Sequence, residues 1–407
     1  MKQQIKNLRD YAELAWASYF NLIYIDGQKT NDFTIGTERI LKDKENIEKF
    51  EYYKALSKDH RDYFIYDDSL VFYPKLNGEF REIQTQNFAK RYIIKFHQPN
   101  TFSGFSATLF YDKQKDEFII GFRGTEVSFK DLKATWETAL DTTQDLVLSL
   151  NGNLQSSFLL EFLEQVNKII KNKHKRIIFV GHSLGGYLAQ MALIYCDIKY
   201  KDKLSFSPNE VYTFNSPSVY GWNFPNIAIN PNTIKIMQDL LGKYTIDVSE
   251  KITHIYDNGK IEIIASAQYG ASNALGIYTG KNDHSIKPLV NTLYFYSYLL
   301  ELDANYNKVK DKSLSECIEY LNHFMKNIQI YTETFVLKNN ATNKNSSFGF
   351  NKNHPEKINH FEYSLSLIAT IMQETNGILE ELGDGYYTSY KAPTISQTKI
   401  IDFILKA

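Results

Sequence analysis

The stretch that most constrains this chain is Arg176-Ile-Ile-Phe-Val-Gly-His-Ser-Leu-Gly-Gly186, followed by the apolar run from Tyr187 to Cys196. Ile177 to Val180 are apolar at consecutive positions, which suits a strand buried on both faces of a parallel sheet. The run from Tyr187 reads as a helix. A strand that turns directly into a helix brings two backbones close together, and Gly181 and Gly185 leave room because neither carries a Cβ. Ser183 is then held in a strained turn with its hydroxyl exposed. The helix N-terminus lies beneath it, where free N–H groups and the helix dipole favour developing negative charge. A bare Gly-x-Ser-x-Gly arises by chance in many chains. Here the strand before it, Gly-Gly after it and the helix that follows make it a nucleophile elbow, and the expected class is α/β.

With 407 residues, 43% of them apolar and 14% aromatic, the chain can fold an α/β unit with accessory helices. A net charge of −1 gives no basic field for a nucleic-acid partner. The two cysteines imply no disulfide framework, and Cys196 falls where a small buried thiol is ordinary. No apolar run approaches the ~20 residues of a membrane-spanning helix. Met1-Lys-Gln-Gln-Ile-Lys lacks the pattern of a cleaved signal peptide, so the chain is expected to be cytoplasmic as synthesised. Leu8, Tyr11, Ala12, Ala15 and Tyr19 instead recur at helical spacing and predict an amphipathic helix that packs on the fold. From Asn21 to about Arg91 the sequence is charged and tyrosine-rich without a clear period. Its charge clusters read as solvated faces. The expected organisation is an N-terminal helical or irregular extension over 1–91, a core over 92–300 and a C-terminal helical region over 301–407.

Within the core, Tyr92 to Phe96 and Ser106 to Tyr111 are strand candidates. The polar turn Asp112 to Glu117 leads into Phe118 to Phe122, which predicts a hairpin feeding the central sheet. That last strand ends in Phe122-Arg-Gly-Thr125. Acyl transfer passes through an oxyanion that needs two donors about 3 Å away. In an elbow fold one is the N–H of the residue after the nucleophile, here Leu184. Thr125 is placed to be the other, since Gly124 permits a tight turn and Thr125 offers both its N–H and its hydroxyl.

Gly-Phe-Arg-Gly-Thr125, Gly181-His-Ser-Leu-Gly-Gly186 and Thr213-Phe-Asn-Ser-Pro217 together resemble the class 3 (fungal-type) lipase family. Ser103-Gly-Phe-Ser-Ala-Thr-Leu-Phe110 and His284-Ser-Ile-Lys-Pro-Leu are similar to its bacterial phospholipase-like members. The resemblance covers roughly residues 92 to 300. It implies an α/β-hydrolase fold, with a mostly parallel sheet flanked by helices. It also implies a Ser-Asp-His triad in that chain order, Thr125 as oxyanion residue, no metal or cofactor, and hydrolysis of lipid esters.

The residues between elbow and histidine are then read for the acid. Glu210 to Asn215 is the next strand, and a helix is expected at Thr233 to Leu241. A triad acid belongs at the C-terminal end of a sheet strand, and Asp257, after Lys251-Ile-Thr-His-Ile-Tyr, has that position. Asn258-Gly259 is also a hairpin signal. If the chain turns there, Glu262 is the alternative acid. Of the nine histidines, His284 follows the acid in a polar loop before an apolar helix, and it is the expected base. His182 belongs to the elbow and supports it, His254 lies within a strand, and His323 falls among the C-terminal helices.

Helices are predicted over Leu289 to Leu302, Leu314 to Gln329 and Phe361 to Met372, with a polar loop at Asn339 to Gly349. Phe129, Leu132, Trp136, Ala139 and Leu140 recur at roughly helical spacing after Thr125. They read either as core contacts or as an amphipathic lid that opens at a lipid surface. The resemblance points toward phospholipase A1-type activity on membranes, with export by a dedicated secretion machine and an inhibitor protein among the expected partners. Triacylglycerol lipase, soluble acyl esterase or thioesterase, and a binding scaffold with an incomplete triad are the alternatives.

Overall fold

A computed structural model of the chain describes residues 1–22, 32–35, 39–41, 53–61, 63–66, 76–101, 104–124, 153–170, 175–216, 249–258, 273–280, 284–300 and 307–331. The readings made for Thr125, residues 126–148, Thr233 to Leu241, Glu262, Asn339 to Gly349 and Phe361 to Met372 lie outside the described residues. Contacts group the chain into two compact units. The first is Tyr11–Tyr256 with Ile263–Ala274; the second is Met1–Asp10, Asp257–Glu262 and Leu275–Ala407.

The first unit is built on a twisted sheet of β4 (Tyr92–Gln98), β5 (Ala107–Asp112), β6 (Glu117–Phe122), β7 (Arg176–His182), β8 (Glu210–Phe214) and β9 (Ile252–Asp257), in that spatial order. β4, β5 and β6 form an antiparallel meander, while β6 through β9 run parallel to one another. The predicted hairpin therefore does feed the central sheet, and the architecture is the α/β one expected.

Sequence pattern explains why β7, the strand that leads to Ser183, is central. All six residues of β6 are buried, as are six of the seven in β7, and neither strand alternates because both faces are covered. α3 (Asn153–Ile170) and α4 (Leu184–Ile194), the latter buried along its whole length, share one core with Phe118, Ile120 and Phe122 of β6 and Ile177 and Phe179 of β7. Phe122 sits in the resulting core with ring centroids 6.2 Å from Phe162 and 5.5 Å from Phe179, at edge-on angles. Each such ring contributes about 1.5–3 kcal/mol by leaving water.

The predicted amphipathic helix is α1 (Lys2–Ala17), and Leu8, Tyr11, Ala12 and Ala15 are all buried as the spacing demands. Tyr19 departs from that reading. It lies in the turn after the helix and is half-buried. The tail of α1 runs along β6. At the start of the strand the Tyr11 hydroxyl donates to Glu117 Oε1 (3.1 Å), and Arg176 Nη1 donates to the other carboxylate oxygen (3.1 Å). Burial raises the Glu117 pKa above its ordinary value despite the neighbouring Lys115 and Arg176 charges. Farther along, a Cβ on Gly121 would lie 1.9 Å from Ser18 Oγ, so the missing side chain is what seats the helix end on the strand.

Residues 21–91 hold more order than their composition suggests. β1 (Asp32–Ile35), β2 (Arg39–Leu41) and β3 (Tyr63–Tyr66) form a small antiparallel sheet in the order β2-β1-β3, and α2 (Glu82–Arg91) leads into β4. The strands are three or four residues long, too short to show a period in a charged sequence.

In the second unit, β10 (Ala274–Ile277) was not foreseen, while α5 (Ile286–Leu299) and α6 (Leu314–Tyr331) fall close to the expected helices. Asn322 of α6 joins these elements. Its Nδ2 donates to the Gly276 carbonyl (2.6 Å), and its Oδ1 accepts from Tyr278 N–H (2.8 Å) and the Tyr296 hydroxyl (2.6 Å). Burial, aided by nearby negative charge including Asp257, holds the Tyr296 phenol well above its usual pKa.

Candidate active site

Ser183 stands where β7 ends and α4 begins, with φ 55° and ψ −128°. Left-handed φ at a non-glycine residue costs about 1–3 kcal/mol and persists only where the surroundings enforce it. They do so by close backbone approach. A Cβ on Gly181 would lie 2.2 Å from the Gly185 carbonyl oxygen, and one on Gly185 would lie 2.1 Å from the Phe122 carbonyl oxygen and 2.8 Å from Gly124 N. On the other side, a Cβ on Gly186 would meet the Ser216 side chain at 2.5 Å. The start of α4 is thus wedged between the exits of β6 and β8. Ser183 N–H is tied to the Phe214 carbonyl (2.9 Å), and its own carbonyl opens the helix by accepting from Gly186 N–H (3.0 Å).

This is the elbow read from the sequence. Ser183 is half-buried and Leu184, the first helical residue, is buried, so its N–H belongs to the helix N-terminus beside the serine. Thr125 lies one residue past the described segment, but Gly124 is described and close. Its hypothetical Cβ falls 3.0 Å from the His182 carbonyl oxygen and 2.4 Å from the Tyr19 hydroxyl. The β6 exit and the turn at Ser183 therefore approach closely through backbone.

His182 is buried, and its Nδ1 lies 2.8 Å from the Tyr19 hydroxyl. His254, within β9 as predicted, pairs with Thr213 Oγ1 of β8 at 2.8 Å, and burial holds its imidazole down at about 4. It is a satisfied interior histidine.

The expected acid and base belong to the second unit. Asp257 is the last residue of β9, the strand-end position anticipated for it. Only 3% exposed, its carboxylate accepts from the Thr279 hydroxyl and, at 3.5 Å, from Thr279 N–H. That pair fixes the carboxylate's orientation. Asn258 N–H donates to the Ile277 carbonyl (2.9 Å), which continues strand pairing past the acid. His284 is half-buried and stands two residues before α5. Sequence reading missed Thr279 and Tyr19, because neither lies in a motif and only the folded chain brings them to Asp257 and His182.

Among the described residues, no cluster of His, Cys, Asp and Glu could hold a metal ion, and no helix is long and apolar enough to cross a membrane.

Residues 119–240 match the family model described as lipase (class 3). The matched segment holds the last four residues of β6, the elbow, α4 and β8, so the activity class is that of a carboxylic ester hydrolase. Among solved structures, the chain is similar to Lip2 lipase from Yarrowia lipolytica, at 18% identity over 60% of this chain and 82% of that one, with a TM-score of 0.30. A triacylglyceride lipase from Rhizomucor miehei gives 12% identity over 49% and 71%, with a TM-score of 0.27. A triacylglycerol lipase from Penicillium expansum gives 12% over 46% and 71%, with a TM-score of 0.26. Likeness at this level carries no argument about substrate; the fold rests on the sheet and elbow described above. No curated protein matches the chain.

Proposed function

We propose that this protein hydrolyses lipid esters by an acyl-enzyme mechanism, with Ser183 as nucleophile, His284 as general base and Asp257 as the carboxylate that orients it. The observation that carries the reading is the left-handed backbone of Ser183 at a strand-to-helix turn, strain that a structural serine would have no reason to bear. His284 takes the Ser183 proton as Oγ attacks the ester carbonyl. Negative charge on the tetrahedral oxygen is met by Leu184 N–H and by Thr125. The protonated histidine then passes its proton to the departing alcohol, and water releases the acyl group by the same steps in reverse order of roles. Asp257 acts by holding one tautomer of the imidazole. Its anchoring by Thr279 supports that role, since an orienting group must itself be oriented.

For substrate we favour a phospholipid cut at its first acyl position. What supports this is the resemblance of residues 103–110 and 284–289 to bacterial phospholipase-like proteins, together with the apolar spacing of Phe129, Leu132 and Trp136 directly after Thr125 in the sequence. A fluorophosphonate probe tests the nucleophile directly. Labelling confined to Ser183 is expected, and folded protein that resists labelling across the pH range would overturn the assignment.

A further inference from the structure

Tyr19 sits at the meeting point of the two backbone segments that the proposed chemistry must hold in register. Its hydroxyl is 2.8 Å from His182 Nδ1 and 3.2 Å from the His182 carbonyl oxygen, immediately before the nucleophile. On its other side is Gly124, immediately before Thr125, where even a Cβ would come within 2.4 Å of the Tyr19 hydroxyl oxygen. The proton arrangement that uses both histidine contacts has Nδ1–H donating to the phenol oxygen and the phenol O–H donating to the carbonyl.

The tyrosine is itself braced from several directions. Asn77 Nδ2 donates to the Tyr19 carbonyl (2.8 Å), while Asn77 Oδ1 accepts from Asn21 N–H (2.7 Å), clamping the short segment between them. Arg123, in the β6 exit and 5% exposed, donates through Nη1 to Asn21 Oδ1 (3.2 Å). Ser18 rests on Gly121, and Tyr11 is bonded to Glu117 at the far end of β6. These contacts hold the backbone on both sides of Tyr19 against β6 and its exit, and the hydroxyl itself is fixed by its two contacts to His182.

We infer that Tyr19 is a positioning residue that sets the spacing between the nucleophile turn and the oxyanion loop, acting through His182 and Gly124 without touching substrate. The inference rests on the proposed acyl-transfer reading and adds to it a residue from the N-terminal segment, far in sequence from every motif. Removing the hydroxyl leaves the ring and its packing in place. It also frees the His182 backbone from its brace, so the turn at Ser183 and the β6 exit at Gly124 lose their fixed spacing. Misplacement of reacting groups by about 1 Å costs on the order of 100-fold in rate, and partial loosening should cost about 10- to 100-fold.

The test is Tyr19→Phe in the full chain, read in two ways. First, the rate of Ser183 phosphonylation by a fluorophosphonate should fall about 10- to 100-fold while the melting temperature stays near wild type. Second, kcat on a soluble ester should fall by a similar factor with KM little changed, a split that simple loss of folded protein would not give. Wild-type protein that is not labelled at Ser183 would refute the enzyme reading itself. Labelled wild type with an equally reactive Tyr19→Phe would refute the clamp alone. Should Tyr19→Phe fail to fold, Gly124→Ala addresses the same contact from the other side, because its Cβ must displace the Tyr19 hydroxyl. The same kcat loss is expected there, and wild-type kcat would overturn the inference.

Discussion

Gly185→Ala puts the elbow geometry under the most direct mechanical load. The new Cβ would stand 2.1 Å from the Phe122 carbonyl oxygen, a backbone atom that no side-chain rotation can remove. Real Cβ contacts essentially never fall below 3.0 Å, so the start of α4 must move away from the β6 exit by about 0.9 Å, the difference between the two values. Forced repacking of a tight core costs about 1–3 kcal/mol of stability. The same movement separates Ser183 and Leu184 N–H from the loop that carries Thr125. A displacement near 1 Å should lower kcat about 100-fold, equivalent to about 2.7 kcal/mol of barrier. Leu163→Ala in α3, buried in the same core, is the matched control: it costs about 2–5 kcal/mol of stability but leaves the elbow in place. Urea unfolding and steady-state kinetics at a temperature where both variants are folded separate the two effects. A Gly185→Ala enzyme with wild-type kcat, or a Leu163→Ala enzyme equally impaired in kcat, would refute the reasoning.

Asp257→Asn should lower turnover by about 10⁴-fold, as loss of an orienting carboxylate does, while Glu262→Gln is mild; the reverse pattern in steady-state kinetics would transfer the acid role to Glu262. His254 is depressed from 6.5 to about 4 by burial, so the unfolded chain binds its proton more readily; the stability this provides is present above pH 6.5 and is lost as the pH falls toward 4. Between pH 7.5 and 5 that loss is about 2 kcal/mol, and urea titrations of His254→Gln should show an acid slope shallower by that amount; an unchanged slope would count against a neutral buried histidine. If residues 126–148 form a lid, activity on a short-chain ester should rise sharply above its solubility limit or on adding phospholipid vesicles, and smooth saturation with no response to vesicles would exclude it.

The elbow was legible because its parts are local. A buried strand, two glycines and a helix each leave a pattern within a dozen residues, and backbone crowding makes the glycines obligatory. The hairpin of β5 and β6 was legible for the same reason, since alternation and a polar turn are short-range signals. Asp257 was placed from the expectation that a triad acid stands at the C-terminal end of a sheet strand, and it is the last residue of β9. The small sheet of β1 to β3 was not legible, because strands of three or four residues carry no readable period. β10 escaped notice for a similar reason: Ala274-Leu-Gly-Ile277 is too short and too glycine-broken to stand out. Tyr19 shows a different limit. Its spacing from Ala15 extended the helical pattern by one turn, but the helix ends at Ala17 and frees the side chain to reach His182, a partner 163 positions away. No local rule encodes such a contact. Thr279 on Asp257 is likewise beyond local rules, a contact across 22 positions.

The claim on which the account depends is that Ser183 cleaves a lipid ester, and one comparison tests it. Wild-type protein and Ser183→Ala are each incubated with vesicles of phosphatidylcholine and, separately, with emulsified triacylglycerol, and the products are identified by mass spectrometry. The account predicts free fatty acid and a 2-acyl lysophospholipid from the wild type on phosphatidylcholine, and no product from a Ser183→Ala protein that melts at the wild-type temperature. Equal product from both proteins, or none from folded wild type on either lipid, would contradict it.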